Sequence, residues 1–264
     1  MSDPDLLFER DGHVAILTMN RPESKNALSS EMLVRMYDGW VEVDTNPDIR
    51  VCILTGAGGT FCSGMDLKAF AGGFEETEYT KRFAEDDDLH WKALLRHFRP
   101  SKPVIAAVEG YALAGGTEIL QGTDIRVAAE TATFGITEVA RGLFPLGGST
   151  VRLRRQIPYT LAAELLLTGR HVSATEAKEI GLIGHVVPEG QALAAARAIA
   201  EQVAANAPLS VQAVLKSLRS GGELTESEAL AQELELGWPI FATADAKEGA
   251  TAFKEKRPAH FTGA

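Results

Sequence analysis

Apolar positions fall into short β-type runs early in the chain and into helical spacing late in it. Leu6-Leu7-Phe8-Glu9 and His13–Met19 flank Asp11-Gly12, which predicts a hairpin closed by a two-residue Asp-Gly turn. Asn20-Arg21-Pro22 ends the second strand. Met32, Leu33, Met36, Trp40 and Val43 then recur at helical spacing behind Ser29 or Ser30, either of which can cap a helix through about Val43. Val51–Thr55 and Val104–Val108 are continuous apolar runs, the pattern of strands covered on both faces. Asp124–Ala128 and Thr133–Gly135 read as shorter strands. Strands alternating with helices predict largely parallel pairing through helical crossovers.

The texture changes beyond about residue 145. Ser173-Ala174-Thr175-Glu176 is a capping box and Gly181 stops the helix it opens. Val186-Val187-Pro188 is the last extended piece. Helices follow over Gln191–Ala205 and Leu209–Ser220, a third behind the Thr225-x-x-Glu228 box, and a fourth that Asp245 can cap, through Phe253. The boundary at Pro188–Gly190 divides an α/β core, residues 1–189, from a helical C-terminal segment, residues 190–264. The chain has no internal repeat.

Composition narrows the function classes. The 264 residues carry 26 Lys+Arg against 36 Asp+Glu, a net charge of −10. A nucleic-acid binder needs a basic face, so that class is set aside. Two cysteines, Cys52 and Cys62, suit a reducing cytoplasm rather than a disulfide scaffold. The start shows no basic-then-apolar leader. The longest apolar stretch, Val104–Gly116, contains Glu109 and falls short of the roughly 18 residues of a membrane span. A cytoplasmic protein with no membrane partner is expected.

Several motifs fail. Gly56-Ala57-Gly58-Gly59 follows a strand, but Phe61 occupies the third glycine position of a dinucleotide fingerprint, leaving only a weak Rossmann alternative that NADH titration tests. There is no Gly-Lys-Ser/Thr, no His-Glu-x-x-His, no Cys-x-x-Cys and no Gly-x-Ser-x-Gly, and the six histidines are scattered. No metal site and no resident cofactor are expected.

Three segments stand out. Thr60-Phe61-Cys62-Ser63-Gly64-Met65-Asp66-Leu67 is a glycine-flanked turn between a strand and a helix that Asp66 can cap. Gly110–Glu118 passes through paired glycines into a helix whose first turn holds a carboxylate. Phe134-Gly135-Ile136-Thr137-Glu138 puts a second carboxylate on a loop shaped by Gly142, Pro145 and Gly147-Gly148. Bare N–H groups at two helix starts and two acids are the parts needed to form and protonate an enolate. The residues alone leave plainer readings open: glycine pairs permit tight turns, a first-turn Glu complements the helix dipole, and a loop Glu is solvated.

At these residues the chain resembles the enoyl-CoA hydratase/isomerase (crotonase) family. The resemblance runs through Asn20-Arg21-Pro22, Asn26-Ala27-Leu28, Phe61–Leu67, Ala107–Gly110, Gly115-Gly116-x-Glu118, Asp124, Phe134-Gly135-x-x-Glu138, Gly142, Pro145 and Gly147-Gly148. It continues through Leu167–Arg170, Ala174-x-Glu176-Ala177, Gly181-Leu182-Ile183, Val186-Val187 and Glu255-Lys256-Arg257, in order over nearly the whole chain. It implies a spiral α/β core of stacked ββα units with a helical C-terminal subdomain, and an acyl-CoA thioester substrate, coenzyme A entering as part of that substrate.

Residue by residue, the resemblance implies an oxyanion hole from the N–H groups of Met65 and Gly115. Glu118 would activate water and Glu138 would supply the proton to C2. The loop Ser63–Lys68, with Asp66 and Leu67, would receive CoA, joined from the tail by Phe253 and Lys256. Two facing carboxylates resist joint ionisation, so one is expected to be protonated near neutrality. A homo-oligomer, a trimer or a dimer of trimers, is implied as well. The chain departs from the family's pattern at Met65, Thr117, Thr137 and Arg141-Gly142-Leu143-Phe144, which puts a short-chain substrate in doubt. The resemblance, with both glutamates present, implies an enoyl-CoA hydratase that adds water across the 2,3-double bond of a trans-2-enoyl-CoA in fatty-acid or related acyl-CoA degradation; an isomerase or specialised dehydratase, and an idle CoA-binding assembly protein, are the alternatives.

Overall fold

In the computed structural model, which describes residues 3–72 and 76–264, strands β1 (Leu6–Asp11) and β2 (Val14–Met19) pair antiparallel, with Asp11 opposite Val14. The tight turn is therefore Gly12-His13, one residue later than the Asp11-Gly12 turn expected from the sequence. Of the two, only Gly12 has a positive φ (56°). That is the type II′ pattern, which favours glycine at the first turn position.

The remaining strands are β3 (Val51–Gly56), β4 (Val104–Val108), β5 (Tyr111–Leu113), β6 (Ile125–Ala129), β7 (Thr133–Gly135), β8 (Val172–Ser173) and β9 (His185–Val187). The main sheet has the order β1-β2-β3-β4-β6-β9, and every pairing after the hairpin is parallel. A smaller sheet, β5-β7-β8, stands beyond it. An isolated bridge between Cys62 and Ala112 ties the segment after β3 to β5.

Alternate residues of the main strands serve two cores. Ala15, Leu17, Cys52, Leu54, Val104 and Ala106 face Met32, Met36, Trp40 and Val43 of the helix Ser30–Thr45, which Ser29 caps by accepting from Met32 N–H. Val14, Ile16, Val51, Ile53, Ile105 and Ala107 face Ala192, Ala196, Ala200 and Ala204. An alanine at every fourth position lets the helix Ala192–Ala204 lie close on the sheet. This helix, in the C-terminal segment by sequence, completes the core. The helices from Pro208 onward lie outside these two cores, held at their edge by buried Leu215 and by Arg219 on Asp124 and Pro100 O.

The last helix runs Ala244–Glu255 and is capped by Thr243, not by Asp245 as the sequence suggests. Asp245 is buried and instead accepts N–H bonds from Thr262 (2.7 Å) and Gly263 (2.8 Å), pinning the chain end. Among the described residues no helix is long and apolar enough to cross a membrane.

Candidate active site

The first donor arises where the segment after β3 folds back on residues 21–28. Asn26 is fully buried and every polar atom of its side chain is used: Oδ1 accepts from Arg21 N–H (2.8 Å), and Nδ2 donates to Ala57 O (2.9 Å) and Thr60 O (2.6 Å). Ser63 N–H donates to Lys25 O (3.0 Å) and Leu28 N–H to Gly64 O (2.8 Å). Asp66 accepts from Arg21 at 3.1 Å. Gly64, at φ 93°, turns the chain so that Met65 N–H has no acceptor among the described residues.

The second donor sits beside it. The helix Gly115–Leu120 begins against Cys62, whose N–H donates to Tyr111 O (2.8 Å) and whose carbonyl accepts from Leu113 N–H (2.9 Å). A Cβ on Gly64 would lie 3.2 Å from Gly115 N, and one on Gly115 would lie 3.9 Å from Met65 N. Gly115 N–H, in the first helical turn, also lacks an acceptor among the described residues. Two free N–H groups thus stand side by side at the start of a helix. Ala114 before them holds φ 49°, ψ −122°, a conformation that costs a non-glycine residue about 1–3 kcal/mol. Its N–H on Gly135 O (2.7 Å) and its carbonyl under Glu118 N–H (3.0 Å) hold it there.

Glu118 is buried, with 4 % exposure, at the N-terminus of the helix Ser149–Gln156. Its Oε1 accepts from Ser149 N–H at 3.2 Å. Burial pushes its pKa up, opposed by hydrogen bonds from the Ser149, Gly147 and Gly148 backbone and the Ser149 side chain. A Cβ on Gly147 would come within 2.6 Å of Glu118 Oε2. The Gly147-Gly148 turn, grouped by sequence with the loop of the second acid, therefore cradles the first one.

Glu138 opens a 3₁₀ turn, Glu138–Arg141, just after β7. Thr117, beside Glu118, ties its helix to the strand that leads to Glu138. Its single O–H is shared between Ala112 O (2.5 Å) and Gly135 O (3.0 Å), and its oxygen accepts from Gly135 N–H (3.2 Å), clamping the ends of β5 and β7 together. Glu138 Oε2 is buried without a partner among the described residues. Burial first, and the charge of Glu118 second, push the Glu138 pKa up to about 7. Two carboxyl groups whose surroundings separate their affinities for a proton can divide the roles of base and acid.

The structure thus brings Met65, Gly115, Glu118 and Glu138 into one neighbourhood, with Ser63 and Asp66 on the loop that forms its edge and Leu67 exposed beside them. The side chain of Lys68 lies outside the described residues. Phe253 is 88 % exposed and Lys256 ends the last helix in left-handed conformation. No hydrogen bond, ion pair or ring contact among the described residues ties either to the loop at 63–67. Asn26, Thr117 and Ser149 carry the positioning that sequence reasoning missed. Asn26 was visible only as a landmark, and Ser149 gave no signal because its partner lies on a distant helix.

A family model described as enoyl-CoA hydratase/isomerase matches residues 9–264. The protein named Enoyl-CoA hydratase EchA19 of Mycobacterium tuberculosis is 56% identical over 98% of this chain and 97% of its own. The (E)-benzylidenesuccinyl-CoA hydratase of Thauera aromatica is 40% identical over 97% of this chain and 98% of its own. Among solved structures, an enoyl-CoA hydratase from Mycobacterium tuberculosis H37Rv superposes with a TM-score of 0.90 at 41% identity, covering 99% of this chain and 100% of that one.

Proposed function

The chain belongs to the enoyl-CoA hydratase/isomerase family, and we propose from that premise that it adds water across the 2,3-double bond of an enoyl-CoA. The observation that carries this reading is the pairing of two free N–H groups with a buried and a half-buried acid of unequal proton affinity. The thioester carbonyl oxygen accepts from Met65 N–H and Gly115 N–H. Ionised Glu118 takes a proton from water as the water oxygen bonds to C3. The π electrons move through C2 onto the carbonyl oxygen, where the two N–H groups meet the developing charge. The carbonyl re-forms as C2 takes a proton from neutral Glu138, and solvent returns the proton from Glu118 to Glu138. Loss of the conjugated-thioester absorbance on mixing with an enoyl-CoA tests the reading, and the absence of turnover across a series of chain lengths overturns it. The N–H pair polarises the thioester carbonyl and meets the developing charge, so turnover is expected to persist in a chelator; activity lost to EDTA and restored by a divalent ion would count against it.

The pH profile follows from the acid. A carboxyl with its pKa raised to about 7 is neutral below that value and ionised above it. kcat/KM is therefore expected to fall as pH rises through about 7, and a profile rising there would reverse the roles of the two acids. The same shift acts on stability with the same sign. The folded state holds this proton at pH values where the unfolded chain has lost it, so the contribution is full at low pH and lost as pH rises through about 7.

A homo-oligomer, a trimer or a dimer of trimers, belongs to the same reading. The helices from Pro208 onward leave Val214, Leu218, Leu230, Leu234, Trp238 and Phe241 exposed, much apolar surface for a protein that stays alone. Across such an interface Phe253 and Lys256 would serve CoA bound to a neighbouring chain. Light scattering is expected to give a mass above that of the 28.3 kDa chain. A monomeric, fully active protein at micromolar concentration would sink the composite site.

A further inference from the structure

The helix that carries Glu118 is followed by Gln121, which borders a groove of about 640 Å³ between the core and the helix Pro208–Gly221. Arg99, Arg126, Arg152, Arg155 and Arg219 line it, and the only carboxylate among its lining residues is Asp124. Asp124 has little left to offer. It accepts from Arg219 Nε (3.0 Å) and Nη2 (2.7 Å), from Arg99 Nη2 (3.3 Å) and from Val104 N–H (2.9 Å). Arg126 donates to uncharged oxygens, Gln156 Oε1 (3.0 Å) and Leu182 O (2.8 Å) among them. Arg152 Nη2 donates to the carbonyls of Leu95 and Arg96. Arg155 reaches Glu223 outside the groove at 3.3 Å.

Asp124 is the one carboxylate that bonds Arg99 or Arg219, and Glu118 adds its charge only at Arg152, so four guanidinium groups that stay charged at neutral pH outnumber the anions near them. Carbonyl oxygens accept from Arg126 and Arg152 but carry no charge to balance them. Among the described residues, donors are left unused here: Arg99 Nε and Arg152 Nη1 are buried without acceptors, and Gln121 Oε1 is buried without a donor. Both guanidinium groups reach one residue, Gly122, which follows Gln121. Arg99 Nη2 donates to Gly122 O (2.8 Å), and a Cβ on Gly122 would lie 3.2 Å from Arg152 Nη1. Turning either guanidinium toward the groove would gain a partner for its idle N–H.

We propose that this groove holds one inorganic phosphate ion, gripped by Arg99 and Arg152 and donating its own hydroxyl to Gln121. Guanidinium forks match the oxygen spacing of such an ion and bond it with charge assistance. At neutral pH phosphate keeps an O–H, so it satisfies an orphan acceptor as well as the orphan donors, which chloride and sulfate do not. Because Gln121 Nε2 donates to Ser149 Oγ (2.8 Å) and Ser149 N–H holds Glu118, the ion would brace the base of the active site from behind.

The test uses the full chain exchanged into a phosphate-free buffer and titrated with potassium phosphate by calorimetry, with potassium chloride at matched ionic strength as the control. Saturable binding near one ion per chain, with a thermal midpoint raised above the chloride control, is expected. Arg99→Met and Arg152→Met are each expected to weaken binding at least tenfold, and sulfate to bind the intact protein more weakly than phosphate. Gln121→Glu, which sets a fixed carboxylate beside the arginines, is expected to abolish phosphate binding, and it decides the matter if the arginine variants do not fold. No binding beyond the chloride control, or phosphate binding unchanged by Gln121→Glu, overturns the proposal. Sulfate binding as tight as phosphate overturns the role given to the hydroxyl.

Discussion

Replacing Glu118 or Glu138 by glutamine is expected to lower the hydration rate by about 10²–10⁴-fold, the usual contribution of a general acid or base, while CoA-ester binding survives. Glutamine keeps the shape of each side chain and removes only the proton chemistry. At position 118 the amide oxygen can still accept from Ser149 N–H, so the cradle formed by Gly147, Gly148 and Ser149 need not move. At position 138 the amide remains neutral as the acid does at low pH, but it has no proton to give to C2. The Glu138 variant should also lose the fall in activity near pH 7, because the group responsible no longer titrates. A variant at either position that turns over at the parent rate removes that residue from the mechanism. If Glu138→Gln stops hydration but still shifts the double bond of a 3-enoyl-CoA, the isomerase reading gains, since that reaction needs only one acid. An intact chain that binds CoA esters and turns over none of them would be the idle binding protein.

The acids and the glycine-flanked donor segments are legible because each sits at or near a boundary between elements, where glycine and glutamate are conspicuous in a linear chain. Their convergence is not. Met65 and Gly115 come together because Cys62 pairs with Ala112 across a single bridge, and β5 is a three-residue strand between glycine-rich turns with no periodicity to reveal it. The long strands β3 and β4 were plain from their unbroken apolar runs, since both faces are covered. Errors of one or two residues arose where two polar residues compete for one job. Thr243 and Asp245 can each cap a helix, and the chain end settles the choice by needing the Asp245 carboxylate for Thr262 and Gly263. Asp11-Gly12 is a good turn by composition, yet the register that pairs Asp11 with Val14 moves the turn to Gly12-His13. At Asp245 a contact distant in sequence overrode a local preference, and at the hairpin the register of the two strands did.

Gly116 is the position where that long-range packing is most exposed to test. Within a helix, Gly→Ala ordinarily stabilises by roughly 0.5–1 kcal/mol, because alanine has less backbone freedom to lose on folding. Gly249 in the helix Ala244–Glu255 should behave so, since an added Cβ there meets only the ring edge of Phe261 at 3.6 Å. At Gly116 the added Cβ would lie 2.4 Å from the carbonyl oxygen of Cys62 and 3.0 Å from its Cβ. Neither side can yield cheaply: Cys62 is tied to Tyr111 and Leu113 by backbone hydrogen bonds, and Gly116 lies in the first turn of a fully buried helix. The segment Cys62–Met65 must move away from the helix start, which parts Met65 N–H from Gly115 N–H. Gly116→Ala is therefore expected to destabilise by about 1–3 kcal/mol, as overpacking does. It is also expected to cost about 10²–10³-fold in kcat, the loss seen when one oxyanion donor is removed. Denaturant unfolding of the Gly116→Ala and Gly249→Ala variants should shift in opposite directions. A Gly116→Ala variant as stable and as fast as its parent would mean that the two N–H groups do not form the oxyanion hole through this contact.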